Sequence, residues 1–491
     1  MRICTIAARN YLPHARVLAT SYARHNEGAA CTVLLLDDPE ARVTDAGEPF
    51  RIVRPAEIGL DAFEEMAAIY DTIELATAVK PWLLRHLLKR DRAPVAYLDP
   101  DIRFYGPIGD LPRLLEAHPL VLTPHVAFRP PPRDGEHPHE LTLLASGIYN
   151  LGFVGIAPGA RTDALLDWWS ERLRYDCVVD HALGLFVDQR WFDLVHAVVP
   201  EFHALRDPGV NVGHWNLHER DVERRESGYT ANGEPLRCFH FSGFDPDRPA
   251  ELSKHQTRVR LATHPVLAEL CRDYGDELRR HGYGDPVPES PYTRLYDGTP
   301  LVPVLRDAFR AGAREGAFRS PSPFTRAGTE EFFAWLREPA GPDGLTRICL
   351  SVHSVRSDLA AAYPDLHGQQ ARDLVEWVCS HAHDELGVPW HLLPEREDAG
   401  SLREFGRGAG PLFARLGELS EVGGHAGVTR YLHALYLRRP DLQAAFPRIE
   451  DDDAWRLVDW AYRHGATGDF DELPVPTELL GASWLSQPAN G

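Results

Sequence analysis

The first half of this chain alternates short strand-like runs with segments that have the spacing of helices. Residues 2–7, 31–38 and 94–99 are β-rich or apolar runs typical of buried strands, and helical spacing covers 12–25 and 73–88. A strand–helix–strand order is typical of a parallel sheet, because the helix returns the chain to the end at which the next strand begins. We therefore predict an α/β domain with a mostly parallel, Rossmann-like central sheet.

The length of 491 residues exceeds what one hydrophobic core usually supports, so the chain is predicted to contain more than one domain. A segment rich in Pro, Gly and Tyr begins near residue 282, and helical periodicity dominates after it. We place the α/β domain at 1–285, a linker or wrapping segment at 286–325, and helical modules at 326–400 and 401–480. The predicted fold class is therefore α/β followed by an all-α region.

The predicted helical region contains an internal repeat. Four elements recur at one offset (429 − 346 = 83): Thr346-Arg347, Asp358-Leu359, Tyr363-Pro364 and Trp377 return as Thr429-Arg430, Asp441-Leu442, Phe446-Pro447 and Trp460. Two unrelated amphipathic helices would not need to share Arg, Asp and Pro positions, so the pattern predicts two related modules. It predicts architecture and does not indicate a chemistry.

Charge and composition exclude several classes of protein. The formal net charge of −20 opposes nucleic acid and anionic lipid, so we expect neither as a partner. No apolar run reaches the roughly 18 residues of a membrane-spanning helix, and the opening residues lack the features of a signal peptide. The seven cysteines are scattered without paired spacing, as in proteins of reducing compartments. We therefore expect a cytoplasmic protein.

The segment YLDPDIRFYGPI at 97–108 carries the strongest chemical signal. Asp99 and Asp101 directly follow a buried-type strand, and residues i and i+2 of an extended segment project to the same side. Open α/β sheets bind ligands at this end of their strands. Two carboxylates so close repel unless a cation lies between them, and hard divalent ions prefer oxygen ligands. The pair predicts a site for Mn²⁺ or Mg²⁺.

The first 260 residues resemble the GT-A fold of nucleotide-sugar glycosyltransferases, in particular the glycogenin and lipopolysaccharide-galactosyltransferase type in a diverged bacterial form. The resemblance rests on segments that occur in the family's order: TIAARNYLPHARVLATSYARHN (5–26), ELATAVKPWLLRHLL (74–88), YLDPDIRFYGPI (97–108), NLGFVGI (150–156), VDQRWFD (187–193) and HFSGFD (240–245). It implies metal-dependent transfer of a sugar from a nucleotide diphosphate sugar to a hydroxyl acceptor, with retention of the anomeric configuration.

The resemblance also implies roles for the cationic and metal-binding positions. His240 would complete the metal site of Asp99 and Asp101, although a histidine packed between two phenylalanines is the alternative. Lys254 would neutralise the departing diphosphate, and it follows His240 at a longer distance than the family's lysine does. Lys80 would lie near the nucleotide or donor sugar, unless it is an ordinary lysine on a helix surface.

Further positions are implied for the sugar and the base. Asp188 and Gln189 would act at the reacting face of the sugar, with Asn150 beside them; Asp188 is alternatively a charge at a helix N-terminus. Trp215 either stacks on a sugar ring or belongs to the core. The base and ribose pocket would be lined by positions near the first two strands: Thr5, Ala7, Asn10 and Asp37 or Asp38.

Two other interpretations stay open at the level of sequence. A nucleotidyltransferase or nucleotide-sugar hydrolase also uses metal-bound carboxylates, although the first strand is not followed by a Gly-rich loop. An inactive scaffold that binds a partner through its helical repeats is the non-enzymatic alternative. The sequence does not indicate whether the acceptor of a transferase would be a glycan, a lipid-linked glycan or a protein.

Overall fold

The computed structural model describes most of the chain, namely residues 1–341, 343–394, 419–420, 426, 428–438, 440–451 and 453–465. The chain divides into two compact units, Met1–Leu392 and Leu393–Gly491. The first unit contains the sheets and the first helical module, and the described part of the second contains only helices and one isolated bridge.

The first unit is built around four sheets of short strands. In chain order the strands are β1 (Arg2–Ala7), β2 (Ala30–Leu35), β3 (Arg51–Val53), β4 (Val95–Leu98), β5 (Ile102–Phe104), β6 (Leu120–Pro124), β7 (Tyr149–Ile156), β8 (Val179–Asp180), β9 (Leu185–Phe186), β10 (His203–Ala204), β11 (Val212–Gly213), β12 (Val222–Arg225), β13 (Gly228–Ala231), β14 (Glu234–Pro235) and β15 (Cys238–His240). The main sheet has seven strands in the order β10-β6-β7-β4-β1-β2-β3.

Helices pack against these sheets and continue beyond them. In the first unit they are α1 (Leu12–His25), α2 (Phe63–Ile69), α3 (Thr72–Ala78), α4 (Lys80–Asp91), α5 (Leu111–Ala117), α6 (Glu140–Ser146), α7 (Ala160–Leu173), α8 (Val195–Val198), α9 (Pro265–Arg280), α10 (Pro303–Glu315), α11 (Arg326–Arg337), α12 (Arg347–Val355), α13 (Ser357–Ala362) and α14 (Gly368–Leu386). In the second unit they are α15 (Arg430–Arg438), α16 (Pro440–Ala445) and α17 (Ala454–Gly465).

The predicted α/β class with a mostly parallel central sheet and a helical C-terminal region is confirmed. Strand β1 is parallel to both of its neighbours, β2 and β4, and its residues 3–7 are fully buried as the apolar runs predict. Strand β7 runs antiparallel to β4 and β6. Because it runs in the opposite direction, its first residues reach the same sheet edge as the last residues of β4.

A small second sheet extends this edge. Strand β15 pairs antiparallel with β5, with His240 opposite Ile102, and β11 lies on its other side. The pairing brings a segment from residue 240 next to one from residue 102, although 138 residues separate them (240 − 102 = 138). Tertiary pairing of this kind is not encoded in local periodicity.

The helical stretch predicted over 73–88 is two helices rather than one. Helix α3 ends at Ala78 and α4 begins at Lys80, with Pro81 in its first turn. Proline is tolerated there because the first helical N–H groups have no intrahelical acceptor. Because of this break, α4 begins at the sheet edge, and its first residue points toward that edge.

The segment predicted as a linker at 286–325 contains helix α10. Arg306 on this helix donates hydrogen bonds to the carbonyl oxygens of Ala67 and Tyr70 at the end of α2, at 2.7 and 2.6 Å. Helix α10 also contacts α12, and both helices lie in the same compact unit as the sheet. The domain boundaries placed at 285 and 325 stay predictions. Among the described helices, none has both the length and the apolar character required to cross a bilayer.

Candidate functional site

Asp99 and Asp101 lie side by side in the turn between β4 and β5. The backbone N–H of Asp99 donates to the carbonyl of Gly152 on β7 at 2.8 Å, and the carbonyl of Asp101 accepts from the N–H of Phe241 at 2.9 Å. The Tyr97 hydroxyl donates to Asp99 Oδ1 at 2.7 Å. Both carboxylates stay partly accessible, with 27% and 20% of the side chain exposed. Backbone hydrogen bonds on both sides therefore fix the turn, and its two carboxylates stay accessible to a ligand.

His240 completes this group from the end of β15. Its Nε2 lies 3.0 Å from Asp101 Oδ1 and 3.7 Å from Asp99 Oδ2. Each of the three side chains offers one ligand atom within 4.8 Å of the others, so they could hold a metal ion. One imidazole nitrogen and two carboxylate oxygens form a donor set for a divalent cation.

The absence of a side chain at Gly152 is what leaves this space open. A Cβ there would lie 2.5 Å from His240 Cε1, 2.6 Å from Asp99 Oδ2 and 2.9 Å from Asn150 Oδ1. Real contacts of a Cβ are not this short, so any other residue would displace the ligand atoms. The donor set, and the close approach of these side chains that Gly152 permits, both fit a divalent cation.

The charges of Asp101 and His240 are strongly coupled. Burial disfavours the imidazolium, but the adjacent Asp101 outweighs it and raises the pKa of His240 above its ordinary value. Burial likewise opposes ionisation of Asp101, and His240 outweighs it so that the pKa of this carboxyl is lowered. The arrangement favours a positive charge between the two groups, which a proton or a metal ion can supply.

Lys80 is buried beneath the carboxylates and is not a surface lysine. Its Nζ lies 2.8 Å from Asp188 Oδ2 and 3.9 Å from Asp99 Oδ1, and it donates to the carbonyl of Leu151 at 3.1 Å. The ammonium also lies 4.6 Å from the centre of the Tyr97 ring. The interpretation of Lys80 as an ordinary helix-surface residue is therefore wrong, because α4 starts at the sheet edge with Lys80 pointing into it.

Asp188 and Gln189 follow β9 and are both buried. Burial raises the pKa of Asp188 to about 6, although Lys80 opposes the shift. Gln189 Oε1 accepts from the N–H of Leu151 at 3.4 Å. Since the Asp188 carboxylate contacts Lys80 rather than a helix N-terminus, its alternative role as a helix charge is not what the structure shows.

Asn150 and Trp215 lie on either side of His240. Asn150 is buried at the start of β7, and its Oδ1 accepts from Asn211 Nδ2 at 3.0 Å. Trp215 is only 4% exposed, and its ring meets the His240 ring edge-on with centroids 5.0 Å apart. Trp215 therefore packs against the histidine from within the core, which is the second of its two interpretations.

The backbone of Lys254 returns to the HFSGFD segment although it is distant in sequence from His240. Its backbone N–H donates to the carbonyl of Gly243 at 3.0 Å, and its side chain is exposed. Residues 244–253 thus form a loop that leaves the chain at Gly243 and returns to it at Lys254. The role of Lys254 toward a diphosphate stays a prediction.

The residues expected around the base lie at the ends of β1 and β2, beside the carboxylates. Thr5 and Ala7 are buried within β1, and Asn10 is exposed just beyond it. Asp37 accepts hydrogen bonds from the backbone N–H and the guanidinium of Arg9, at 2.8 and 3.2 Å.

Asp38 lies one residue further along, and protein donors already engage it. Its carboxylate contacts the Arg54 guanidinium at 2.7 Å and accepts from the N–H groups of Arg42 and Val43, both at 3.0 Å. The pKa of Asp38 is lowered, because Arg54 and these N–H groups outweigh the opposing effect of burial. Asp38 therefore organises the loop after β2.

Sequence reasoning missed several residues that line or support this site. Tyr11 stacks on His14 with ring centroids 4.4 Å apart, and burial together with the nearby Asp101 raises the Tyr11 pKa to about 12. Asn211 contacts His240 from the buried side. Tyr97 precedes Asp99 by two residues, so strand alternation could have identified it; Asn211 carries no comparable local signal.

We expect Gly152→Ala to weaken Mn²⁺ binding by at least about tenfold, because the added methyl group displaces Asp99 and His240. Electron paramagnetic resonance titration of Mn²⁺ measures this affinity. Gly155→Ala on the same strand is the matched control, since its Cβ would meet the methyl groups of Leu111 and Leu115 instead. A similar loss of affinity in both variants would show that general destabilisation, not the site, is responsible.

No protein-family model matches the chain. The uncharacterized protein YfnF of Bacillus subtilis (strain 168) is 26% identical over 285 residues, which span 57% of this chain and 92% of YfnF. The uncharacterized protein YfnD of the same organism is 26% identical over 220 residues, 42% of this chain and 67% of YfnD.

Solved structures of two transferases are weakly similar to this chain. One is the galactosyltransferase LgtC in complex with donor and acceptor sugar analogues, at 16% identity and a TM-score of 0.34, covering 59% of this chain and 98% of LgtC. The other is the apo form of mouse xyloside xylosyltransferase 1, at 12% identity and a TM-score of 0.32, covering 49% of this chain and 96% of that one.

Proposed function

We propose that this chain transfers a sugar from a nucleoside diphosphate sugar to a hydroxyl acceptor, with Asp99, Asp101 and His240 holding Mn²⁺ or Mg²⁺. The single observation that carries the proposal is the convergence of these three side chains at a sheet edge, above a glycine that leaves room for a ligand. The resemblance of the surrounding segments to GT-A glycosyltransferases supports the same assignment.

The bound cation would supply positive charge to the diphosphate as the bond to the sugar breaks. Lys254 is exposed next to Gly243, and its ammonium would contribute a second positive charge to the same phosphates. Such groups accelerate the reaction because they interact more strongly with the departing diphosphate than with the intact donor. The base and ribose would lie at the ends of β1 and β2, near Asn10 and Asp37, with Thr5 and Ala7 buried in β1 behind them.

Asp188 and Gln189 would serve the sugar ring, with Asn150. Asp188 is 1% exposed and bound to Lys80, which supports an electrostatic role toward the developing positive charge rather than attack on the anomeric carbon. We propose a retaining reaction, in which the acceptor oxygen bonds to the anomeric carbon on the face that the diphosphate leaves. The acceptor proton then passes to the departing phosphate or to solvent.

Thermal unfolding with nucleoside diphosphates tests this proposal. We expect UDP or GDP together with Mn²⁺ to raise the Tm, since a ligand at 100 times its Kd stabilises the folded state by about 2.7 kcal/mol. Added EDTA should remove the shift, and nucleoside monophosphates should give less. If no nucleoside diphosphate shifts the Tm, the proposal is wrong. Release of free sugar without an acceptor, and no transfer to any acceptor, would favour a hydrolase.

We further propose that the helical region contains two copies of one module. Helices α12 and α15 begin 430 − 347 = 83 residues apart, and α13 and α16 begin 440 − 357 = 83 residues apart. Isolated bridges also end at equivalent positions, Thr346 and Thr429. This spacing equals that of the sequence repeat and supports a duplication.

A further inference from the structure

A chain of hydrogen bonds runs from a backbone carbonyl to the candidate metal site through four buried side chains. The carbonyl of Gly147 contacts His125 Nδ1 at 2.8 Å, and His125 Nε2 contacts Asn150 Nδ2 at 3.3 Å. Asn150 Oδ1 accepts from Asn211 Nδ2 at 3.0 Å, and Asn211 Oδ1 contacts His240 Nδ1 at 3.1 Å. The last atom of the chain, His240 Nε2, faces Asp99 and Asp101.

The direction of every bond in this chain follows from its first member. A carbonyl oxygen only accepts, so His125 Nδ1 carries a hydrogen, and in a neutral ring Nε2 then accepts from the Asn150 amide. The N–H of Gly152 donates to Asn150 Oδ1 at 3.2 Å, which independently requires oxygen at that position. Donors and acceptors therefore alternate without conflict from Gly147 to Asn150.

Asn211 continues this order of donors and acceptors as far as His240. Its Nδ2 uses two hydrogens, one on Asn150 Oδ1 and one on Thr123 Oγ1 at 2.8 Å, so its Oδ1 must face His240. This oxygen only accepts, and His240 Nδ1 must therefore carry a hydrogen. In the neutral ring the lone pair is then on Nε2, 3.0 Å from Asp101 Oδ1.

We propose that Asn211 is a positioning residue that holds His240 with its hydrogen on Nδ1 and its Nε2 lone pair directed at a cation between Asp99 and Asp101. The inference rests on the divalent-cation site of the proposed function. A lone pair that faces two carboxylates is stabilised by a positive charge between them, so a bound cation should reinforce the tautomer that Asn211 holds. Through Asn150 the same residue links the cation site to the proposed sugar site.

The backbone of Asn211 allows a clean test. Its φ of +50° lies in the left-handed region, which asparagine and glycine tolerate, and its N–H donates to Cys238 Sγ at 3.2 Å. Asn211→Gly therefore removes the amide while keeping a compatible backbone. Asn232, exposed and with a φ of +52° in the turn between β13 and β14, offers Asn232→Gly as a matched control outside the site.

Two measurements test the proposal in the metal-free and the metal-bound protein. In long-range ¹H–¹⁵N spectra at a pH where the imidazole is neutral, we expect His240 to carry its hydrogen on Nδ1 in the unaltered protein and in Asn232→Gly. Asn211→Gly should shift the ring toward the other tautomer. Mn²⁺ binding, followed by electron paramagnetic resonance, should weaken by about 10–100-fold in Asn211→Gly only.

Asn211→Asp separates the two roles of this side chain. A carboxylate oxygen still accepts from His240 Nδ1, so the Nδ1 hydrogen should stay, whereas the N–H groups donated to Asn150 Oδ1 and Thr123 Oγ1 are lost. The proposal is overturned if His240 carries its hydrogen on Nε2 in the unaltered protein, or if Asn211→Gly keeps both the tautomer and the Mn²⁺ affinity. If Asn211→Gly changes the tautomer while no form binds Mn²⁺, the positioning role is supported and the proposed function fails.

Discussion

Asp101→Asn is expected to lower the rate of sugar transfer by at least about 1,000-fold, which corresponds to about 4 kcal/mol of lost transition-state stabilisation. Asparagine keeps the size of the side chain but removes the negative charge that would hold the cation, and it removes the partner of His240 at 3.0 Å. Initial rates of release of nucleoside diphosphate, with a saturating nucleotide sugar and acceptor, measure the effect.

Asp110→Asn is the matched control for this prediction. Asp110 is also an aspartate of the first unit, but its side chain is 69% exposed and pairs with Arg113 at the start of α5. The control should keep its turnover and its unfolding temperature. Normal turnover in Asp101→Asn would remove this residue from the mechanism, whereas loss of folding in Asp101→Asn would show that the carboxylate mainly stabilises the turn.

Lys80→Met is expected to lower the free energy of unfolding of the first unit by about 3–5 kcal/mol. Lys80 is 1% exposed, and its ammonium is 2.8 Å from the Asp188 carboxylate, which is itself 1% exposed. Removal of the lysine leaves a buried carboxylate with no counter-charge, and this cost exceeds that of losing an ion pair at the surface. Urea unfolding followed by tryptophan fluorescence measures the change.

Two further variants isolate the charge effect. Lys89 lies on the same helix and is exposed. Lys89→Met should therefore change the free energy of unfolding by less than about 0.5 kcal/mol. The double variant Lys80→Met with Asp188→Asn removes both charges and should recover much of the lost stability, which a double-mutant cycle quantifies. Equal effects of Lys80→Met and Lys89→Met would contradict the buried ion pair as a source of stability.

Local sequence patterns were sufficient to predict the parts of the fold in which the conformation of each residue depends on its neighbours in sequence. The apolar runs at 2–7 and 94–99 correspond to β1 and β4, and the Asp99 and Asp101 pair follows the second of them as predicted. Pro81 in the helical pattern of 73–88 indicates either a first turn or a kink, and the structure has it in the first turn of α4.

A resemblance to a family supplies long-range order that periodicity cannot supply. The HFSGFD segment indicated His240, which β15 brings to 3.0 Å from Asp101. Lys254 follows His240 at a longer spacing than the resembled family has. The hydrogen bond from its N–H to the carbonyl of Gly243 shows that the intervening residues form a loop that returns to this segment. Neither periodicity nor spacing could have identified Asn211, whose contacts lie 29 residues away at His240 and 61 residues away at Asn150.

The sequence by itself determined the α/β class, the helical C-terminal region and the pair of carboxylates at a strand end, because these follow from periodicity and from charge placed next to an apolar run. Only the tertiary structure decided that Lys80 is buried against Asp188, that Trp215 packs behind His240, and that Gly152 leaves the space between the ligand atoms. The physical reason is that burial and hydrogen-bond direction depend on which strands become neighbours. Strand β7 pairs antiparallel with β4, and this pairing determines which residues are neighbours at the site.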